Sequence, residues 1–264
     1  MNHIYPSYRI LVLYNSESSD SSVLSDAVAI AKKINGAIDL LSVYPYKAES
    51  TYSNQLTLMR SIKSSKERLK SEINTIIDTI EDEENLPIIN SSRVGEVTHV
   101  VLEHIKRTAP DIVVLGKKKT RTFAPIQNSI FDLVLNNHNG ITLVSGEKKS
   151  LFEQLHWSLG FVDRVIDNNS IAKVLIKNSV VPTTLFQLTP QCNERINKKV
   201  LLYDFQENTN SSLNISQYIT KNKVSLLCVD RDSLLKRQDK HKYKRILNNT
   251  LINMETPLMV FPNK

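Results

Sequence analysis

The chain has 264 residues, long enough for one large domain or two of ordinary size. Only 6 residues are Gly, and the closest pair, Gly140 and Gly146, leaves no room for a GxGxxG fingerprint or a GxxxxGK(S/T) phosphate loop; GxSxG, HExxH, CxxC and the EF-hand loop are absent too. With 41% hydrophobic and 23% charged residues, a net charge of +7 and no apolar run near the roughly 20 residues that cross a bilayer, the composition is that of a soluble globular protein.

Residues 8–14 (YRILVLY) form an apolar, β-branched run that suits a buried parallel strand. A polar stretch, NSESSDSS, then supplies N-cap candidates for a helix with Leu24, Ala27, Val28, Ala31 and Ile34 on one face, stopped by Gly36 as its C′ residue. Residues 37–43 (AIDLLSV) read as the second strand. A longer helical pattern over 50–84, marked by Leu56, Met59, Ile62, Leu69, Ile73, Ile76, Ile77 and Ile80, ends in the acidic run Glu81 to Glu84. A short strand near Pro87 to Asn90 leads through Gly95 to a helix over Glu96 to Arg107. Val97, Val100, Val101 and Ile105 make its buried stripe, with His104 at the polar edge. DIVVL at 111–115 is a strand, Asn128 to Asn137 a helix, and ITLVS at 141–145 a fifth strand. This βαβαβαβαβ order predicts right-handed crossovers and a parallel sheet covered on both faces, with any ligand beyond the carboxyl ends of the strands where strand order reverses.

The pattern recurs downstream. HWSLGFVD, Ser170 to Asn178, VPTTLFQL, KVLLYDF, Ser212 to Lys221, VSLLCV at 224–229, a helix with Tyr243, Ile246, Leu247, Leu251 and Met254, and PLMVF at 257–261 repeat the order of elements. Only TPQCNERINK stands where the long second helix would be. The charge divides accordingly: residues 1–150 hold 18 Lys+Arg against 17 Asp+Glu, and residues 151–264 hold 16 against 10.

RILVLYNSE, AIDLLSV, a long second helix, VGEVTHVVLEHIKRTAPDIVVLG and NSIFDLVLNNHNGITLVS together resemble a universal stress protein domain over residues 8–145. The resemblance implies two flavodoxin-like, adenine nucleotide alpha hydrolase-like α/β units with open parallel sheets in tandem, 1–148 and a divergent, trimmed 149–264. Nucleotide-binding members use an Asp after the first strand and a loop of Gly, two residues, Gly, nine residues, Gly, Ser/Thr. Asn15 stands at the Asp position here. Gly116 matches the first glycine, Lys119 stands at the second and Asn128 at the third, with the loop one residue shorter and Ser129 following. Backbone N–H groups approach phosphate through such glycines, and a side chain obstructs them; Asn tolerates left-handed φ and substitutes in part. In the family the adenine would lie near Val43. Lys117, Lys118, Lys119 and Arg121 precede a helix N-terminus, which favours anions, so a modified anion site stands beside the reading as a solvated loop. In the second unit Asp163 falls at the adenosine Asp position, but no glycine follows the fourth strand.

The expected function is a stress-associated, non-enzymatic regulator or scaffold with a degraded nucleotide site, its units packed as an internal pseudo-dimer, with homodimerisation through the last strands. No cofactor is assigned. The alternatives are a binder of ATP or another adenine nucleotide, with slow hydrolysis, and a nucleic-acid binder using the basic segment 231–245, which holds seven Lys/Arg with His241 and Tyr243. The start, MNHIYPSYRILVLY, lacks a signal-peptide pattern, and Cys192 and Cys228 are the only cysteines, so a cytoplasmic location is expected. Cys228 reads as a buried hydrophobe, Cys192 as a loop thiol and Trp157 as core. His99 and Glu103 share a helix face but lack a third metal ligand, and no nucleophile–base pair stands out, so neither a metal nor a catalytic residue is assigned.

Overall fold

A computed structural model of the chain describes residues 6–14, 21–44, 55–116, 130–146, 157–187, 200–204, 211–235 and 256–262. Its first half runs β1 (Tyr8–Tyr14), α1 (Ser21–Ile34), β2 (Gly36–Tyr44), α2 (Gln55–Glu84), β3 (Ile88–Val94), α3 (Val97–Thr108), β4 (Ile112–Leu115), α4 (Ile130–Asn137) and β5 (Ile141–Val144). The second runs β6 (Leu159–Val162), α5 (Ser170–Asn178), β7 (Thr183–Gln187), β8 (Val200–Asp204), α6 (Ser211–Lys221), β9 (Leu226–Asp230), α7 (Arg231–Leu235) and β10 (Leu258–Phe261). The fold is α/β, as expected. The helix expected around Tyr243 to Met254 lies outside the described residues.

All ten strands belong to one sheet, ordered β3-β2-β1-β4-β5-β10-β9-β6-β7-β8. Every pairing is parallel except the central one, where β10 runs antiparallel to β5 with Leu258 beside Val144, Met259 beside Leu143 and Val260 beside Thr142. The two last strands therefore pair with each other inside the chain. Each is also flanked by β4 or β9, so neither offers the free edge that dimerisation through the last strands would need.

Alternate residues of these strands face opposite helix layers. On one face a single apolar cluster joins the halves: Ile10, Val12, Ile112 and Leu143 share it with Trp157, Leu159, Phe161, Met259 and Phe261. Here α1 packs against α5. Trp157 is 1% exposed, donates from Nε1 to the Asn178 carbonyl at 2.8 Å, and carries the Lys33 ammonium 4.6 Å above its ring. On the other face β1, β2 and β4 pack beneath α3 and α4.

Two local readings change. α1 ends on Asn35, whose φ of 57° makes it the left-handed cap, and Gly36 is already the first residue of β2. Gly36 is needed for proximity: a Cβ there would lie 2.9 Å from Ile10 Cδ1 across the β1–β2 pairing. Arg231, counted from sequence with the basic segment, is 7% exposed and spans the seam, donating to the carbonyls of His138 at 2.6 Å and Gly140 at 2.5 Å. Those carbonyls lie where α4 turns into β5, so the guanidinium satisfies backbone acceptors that no helix or strand partner reaches. Residues 236–245 lie outside the described residues.

His138 is 4% exposed and sits against this guanidinium; burial first, then Arg231, lowers its pKa to about 4. The unfolded chain takes up that proton near pH 6.5 and the folded one only near 4. The resulting stability is complete above pH 6.5 and is lost as pH falls to 4, an amount of about 3 kcal/mol. Urea titrations between pH 7 and 4.5 are expected to show this loss in the wild type and a smaller one in His138→Gln. Arg231→Met is expected to cost about 2–4 kcal/mol at pH 7 by the same measurement, since it leaves two seam carbonyls without their charged donor.

Candidate functional site

In an open parallel sheet the crevice forms at the carboxyl ends of two neighbouring strands whose following connections leave in opposite directions. The sheet has two such points, between β1 and β4 and between β6 and β9. The antiparallel seam sends them to opposite ends of the sheet.

At the first point β1 ends on Tyr14 and β4 on Leu115, followed by exposed Gly116. Val43, near the end of β2, is half-buried on the α3 side. Gly116 and Val43 thus both lie at the carboxyl end of the sheet. Asn15, Lys117, Lys118, Lys119, Arg121, Asn128 and Ser129 lie outside the described residues. The floor is held by Ser145, just past β5: its N–H donates to the Leu115 carbonyl at 2.8 Å and its hydroxyl to Asp26 Oδ2 of α1 at 2.5 Å. Asp26 is fully buried, so this contact ties α1 to β4 and β5 below the crevice.

The second point is built from charges. Asp163 follows β6 with φ 60° and is 1% exposed, its N–H donating to the Phe186 carbonyl at 2.8 Å. Arg164 reaches across to the carboxylate of Asp230, the last residue of β9, and pairs with it through Nη2 and Oδ2. Asp230 Oδ1 also accepts from the Asp232 N–H, 3.1 Å away, where α7 begins. The register locates this pair. Ile10 pairs with Ile112, and Leu159 with Leu226, all four on the same face of the sheet. Four residues beyond Ile112 is Gly116, and four beyond Leu226 is Asp230. Strand pairing therefore sets Asp230 in correspondence with Gly116.

A third polar group was hidden in the sequence. His104, assigned to the edge of its helix, is 3% exposed and donates from Nε2 to Asp39 Oδ2 of β2 at 2.6 Å. Arg107 Nη2 lies 3.0 Å from His104 Nδ1; a guanidinium only donates, so Nδ1 accepts and the ring proton belongs on Nε2. This clamp holds α3 on the sheet and includes no nucleophile. The sequence signal was Asp39 inside an otherwise apolar strand, three residues' spacing between His104 and Arg107 being the other half. His99 and Glu103 are both exposed, and among the described residues no group of three or more His, Cys, Asp or Glu could hold a metal. Cys228 is buried and its thiol is pushed far up by burial, away from the reactive thiolate. Among the described residues no helix is long and apolar enough to cross a membrane.

Residues 7–136 match the model of the Universal stress protein family. A universal stress protein from Archaeoglobus fulgidus DSM 4304 superposes with a TM-score of 0.70 at 10% identity, covering 97% of this chain and 96% of that one. A functionally unknown protein from Pseudomonas aeruginosa PAO1 gives a TM-score of 0.61 at 9% identity over 97% of this chain and 92% of its own. UspA, a universal stress protein from Lactobacillus plantarum, covers 53% of this chain and 99% of its own at 17% identity, with a TM-score of 0.47. No curated protein matches the chain. At such identities the solved structures show the fold, while the family match is carried by sequence: residues 7–136 form a universal stress protein family domain.

Proposed function

We propose that the chain is a tandem universal stress protein in which residues 149–264 are a trimmed copy of residues 1–148, and that it acts as a non-enzymatic, stress-associated regulator or scaffold rather than as a nucleotide switch. The strand orders support the tandem reading, since β8-β7-β6-β9-β10 repeats β3-β2-β1-β4-β5 and the two meet antiparallel, as two subunits about a two-fold axis would. The trimming is a matter of length. Between β2 and β3 lie 43 residues, including the 30 of α2, and between β7 and β8 only 12.

The observation that carries the functional reading is the Arg164–Asp230 pair. At the position corresponding to Gly116, and just past the end of the neighbouring strand β6, it puts two charged side chains, bonded to each other, where a nucleotide would need an open crevice and a bare backbone. A nucleotide does not fit the second unit. In the first, Gly116 alone of the three loop glycines is kept, with Lys119 and Asn128 at the other two positions. Both units are thus read as having left the nucleotide-binding pattern, by different routes, while retaining the sheet.

Calorimetric titration of the full chain with Mg-ATP is expected to give no saturable heat. Saturable binding of one ATP per chain, lost on changing Gly116→Asp and Ser129→Ala, would establish the adenine-nucleotide reading in its place. The pair itself is expected to show a coupling of about 1–3 kcal/mol in a double-mutant cycle of Arg164→Ala and Asp230→Ala, read from urea unfolding. Arg164→Ala alone should be the worse single change relative to the double variant, because Asp230 is left buried without its counter-ion.

A further inference from the structure

The outer end of the second half carries three aromatic rings drawn from three elements. Strand pairing sets Tyr203 of β8 beside Phe186 of β7, on the sheet face that α6 covers. Tyr218 of α6 touches both. Its ring meets Phe186 edge-on, with centroids 5.6 Å apart and planes at 78°, and stands 4.2 Å from the Tyr203 ring with the planes tilted at 49°. The first is an ordinary edge-to-face contact, and the second is closer than aromatic pairs usually come. Phe186 is fully buried, whereas both tyrosines are half-buried, so solutes reach them from one side.

The hydroxyls meet as well as the rings. Burial, and then a hydrogen bond with Tyr203, push the Tyr218 hydroxyl far above the usual phenol pKa and keep it a neutral phenol. With ring centres and hydroxyls both together, the Cε carbons beside the two hydroxyls are neighbours. A carbon–carbon bond between two aryl rings sets their centres one bond and two ring radii apart, close to the separation already held here. To be joined, the rings must turn but need not travel.

We propose that Tyr203 and Tyr218 are a site of oxidative cross-linking, joined Cε to Cε when a peroxide-driven one-electron oxidant acts on the protein. Each phenol gives up one electron and its hydroxyl proton. The two phenoxyl radicals pair to form the Cε–Cε bond, and the hydrogen on each of those carbons moves to the neighbouring oxygen, restoring both rings and both hydroxyls. The two electrons and two protons released reduce one hydrogen peroxide to two waters. The product fastens β8 to α6. Among the described residues β8 is the outermost strand and pairs with β7 alone, so the new bond is a second anchor for the edge of the sheet.

The test treats the full chain with a haem peroxidase and hydrogen peroxide, with free tyrosine as the positive control for the oxidant. At about 10 μM protein, a pair held in contact couples far faster than tyrosines on separate molecules. The wild type is expected to stay monomeric on a denaturing gel and to gain the fluorescence of a biphenol. Mass spectrometry is expected to find a peptide pair that joins Tyr203 to Tyr218 and is lighter by two hydrogens. Tyr203→Phe and Tyr218→Phe keep the rings and remove one phenol each; with circular dichroism unchanged, each is expected to lose that linkage and most of the fluorescence. No biphenol in the wild type, coupling of these tyrosines to others in its place, cross-links between chains only, or an undiminished signal in either phenylalanine variant would each overturn the proposal.

Discussion

The antiparallel pairing of β5 with β10 is the contact on which the rest of the molecule depends. Each five-stranded half has a last strand whose outer side would otherwise present unsatisfied backbone groups and apolar side chains. Joining the two edges removes both problems and creates one sheet. The Arg231 guanidinium reinforces the joint by bonding carbonyls of the other half, and the α1 and α5 layer covers it with a core that both halves contribute to. The seam is thus covered by a shared apolar layer and held by backbone pairing and a charged donor.

The same joint decides where chemistry can occur. Because the halves run antiparallel, their strand carboxyl ends face opposite directions and cannot combine into one site. Each crevice must be complete on its own. In the second half the Arg164–Asp230 pair spans the switch point, and the buried carboxylate of Asp230 is engaged by the side chain beside it and by the start of α7. In the first half Asp26 and Ser145 hold the floor rigidly below Gly116. The sheet is conserved in form between the halves, while the side chains at its two ends are not.

The architecture was legible because parallel strands buried on both faces write themselves as apolar runs. IVVL and LLCV are read that way, and the helical stretch read over Ser170–Asn178 is α5, which the structure shows to be capped by Asn169, accepting from the Ile171 and Ala172 N–H groups. What escaped was set by partners distant in the chain. His104 belongs to the polar edge by periodicity, yet Asp39 lies beneath it, 65 residues away, and a buried imidazole with two partners is satisfied there. Arg231 reads as one more cation in a basic segment; its role depends on carbonyls 91 and 93 residues earlier. Gly36 was identified as special for the wrong reason, since Asn35 supplies the turn and Gly36 the room.

If the seam is the organising contact, the two halves must unfold together. Hydrogen exchange followed by mass spectrometry under mild denaturant, comparing the amides of β1 and β4 with those of β6 and β9, reads this directly. A common opening free energy for both pairs, falling in parallel with denaturant, is what a single cooperative sheet predicts. Two separate isotherms, with one half opening while the other remains protected, would show that the halves are independent domains in contact and would contradict the account.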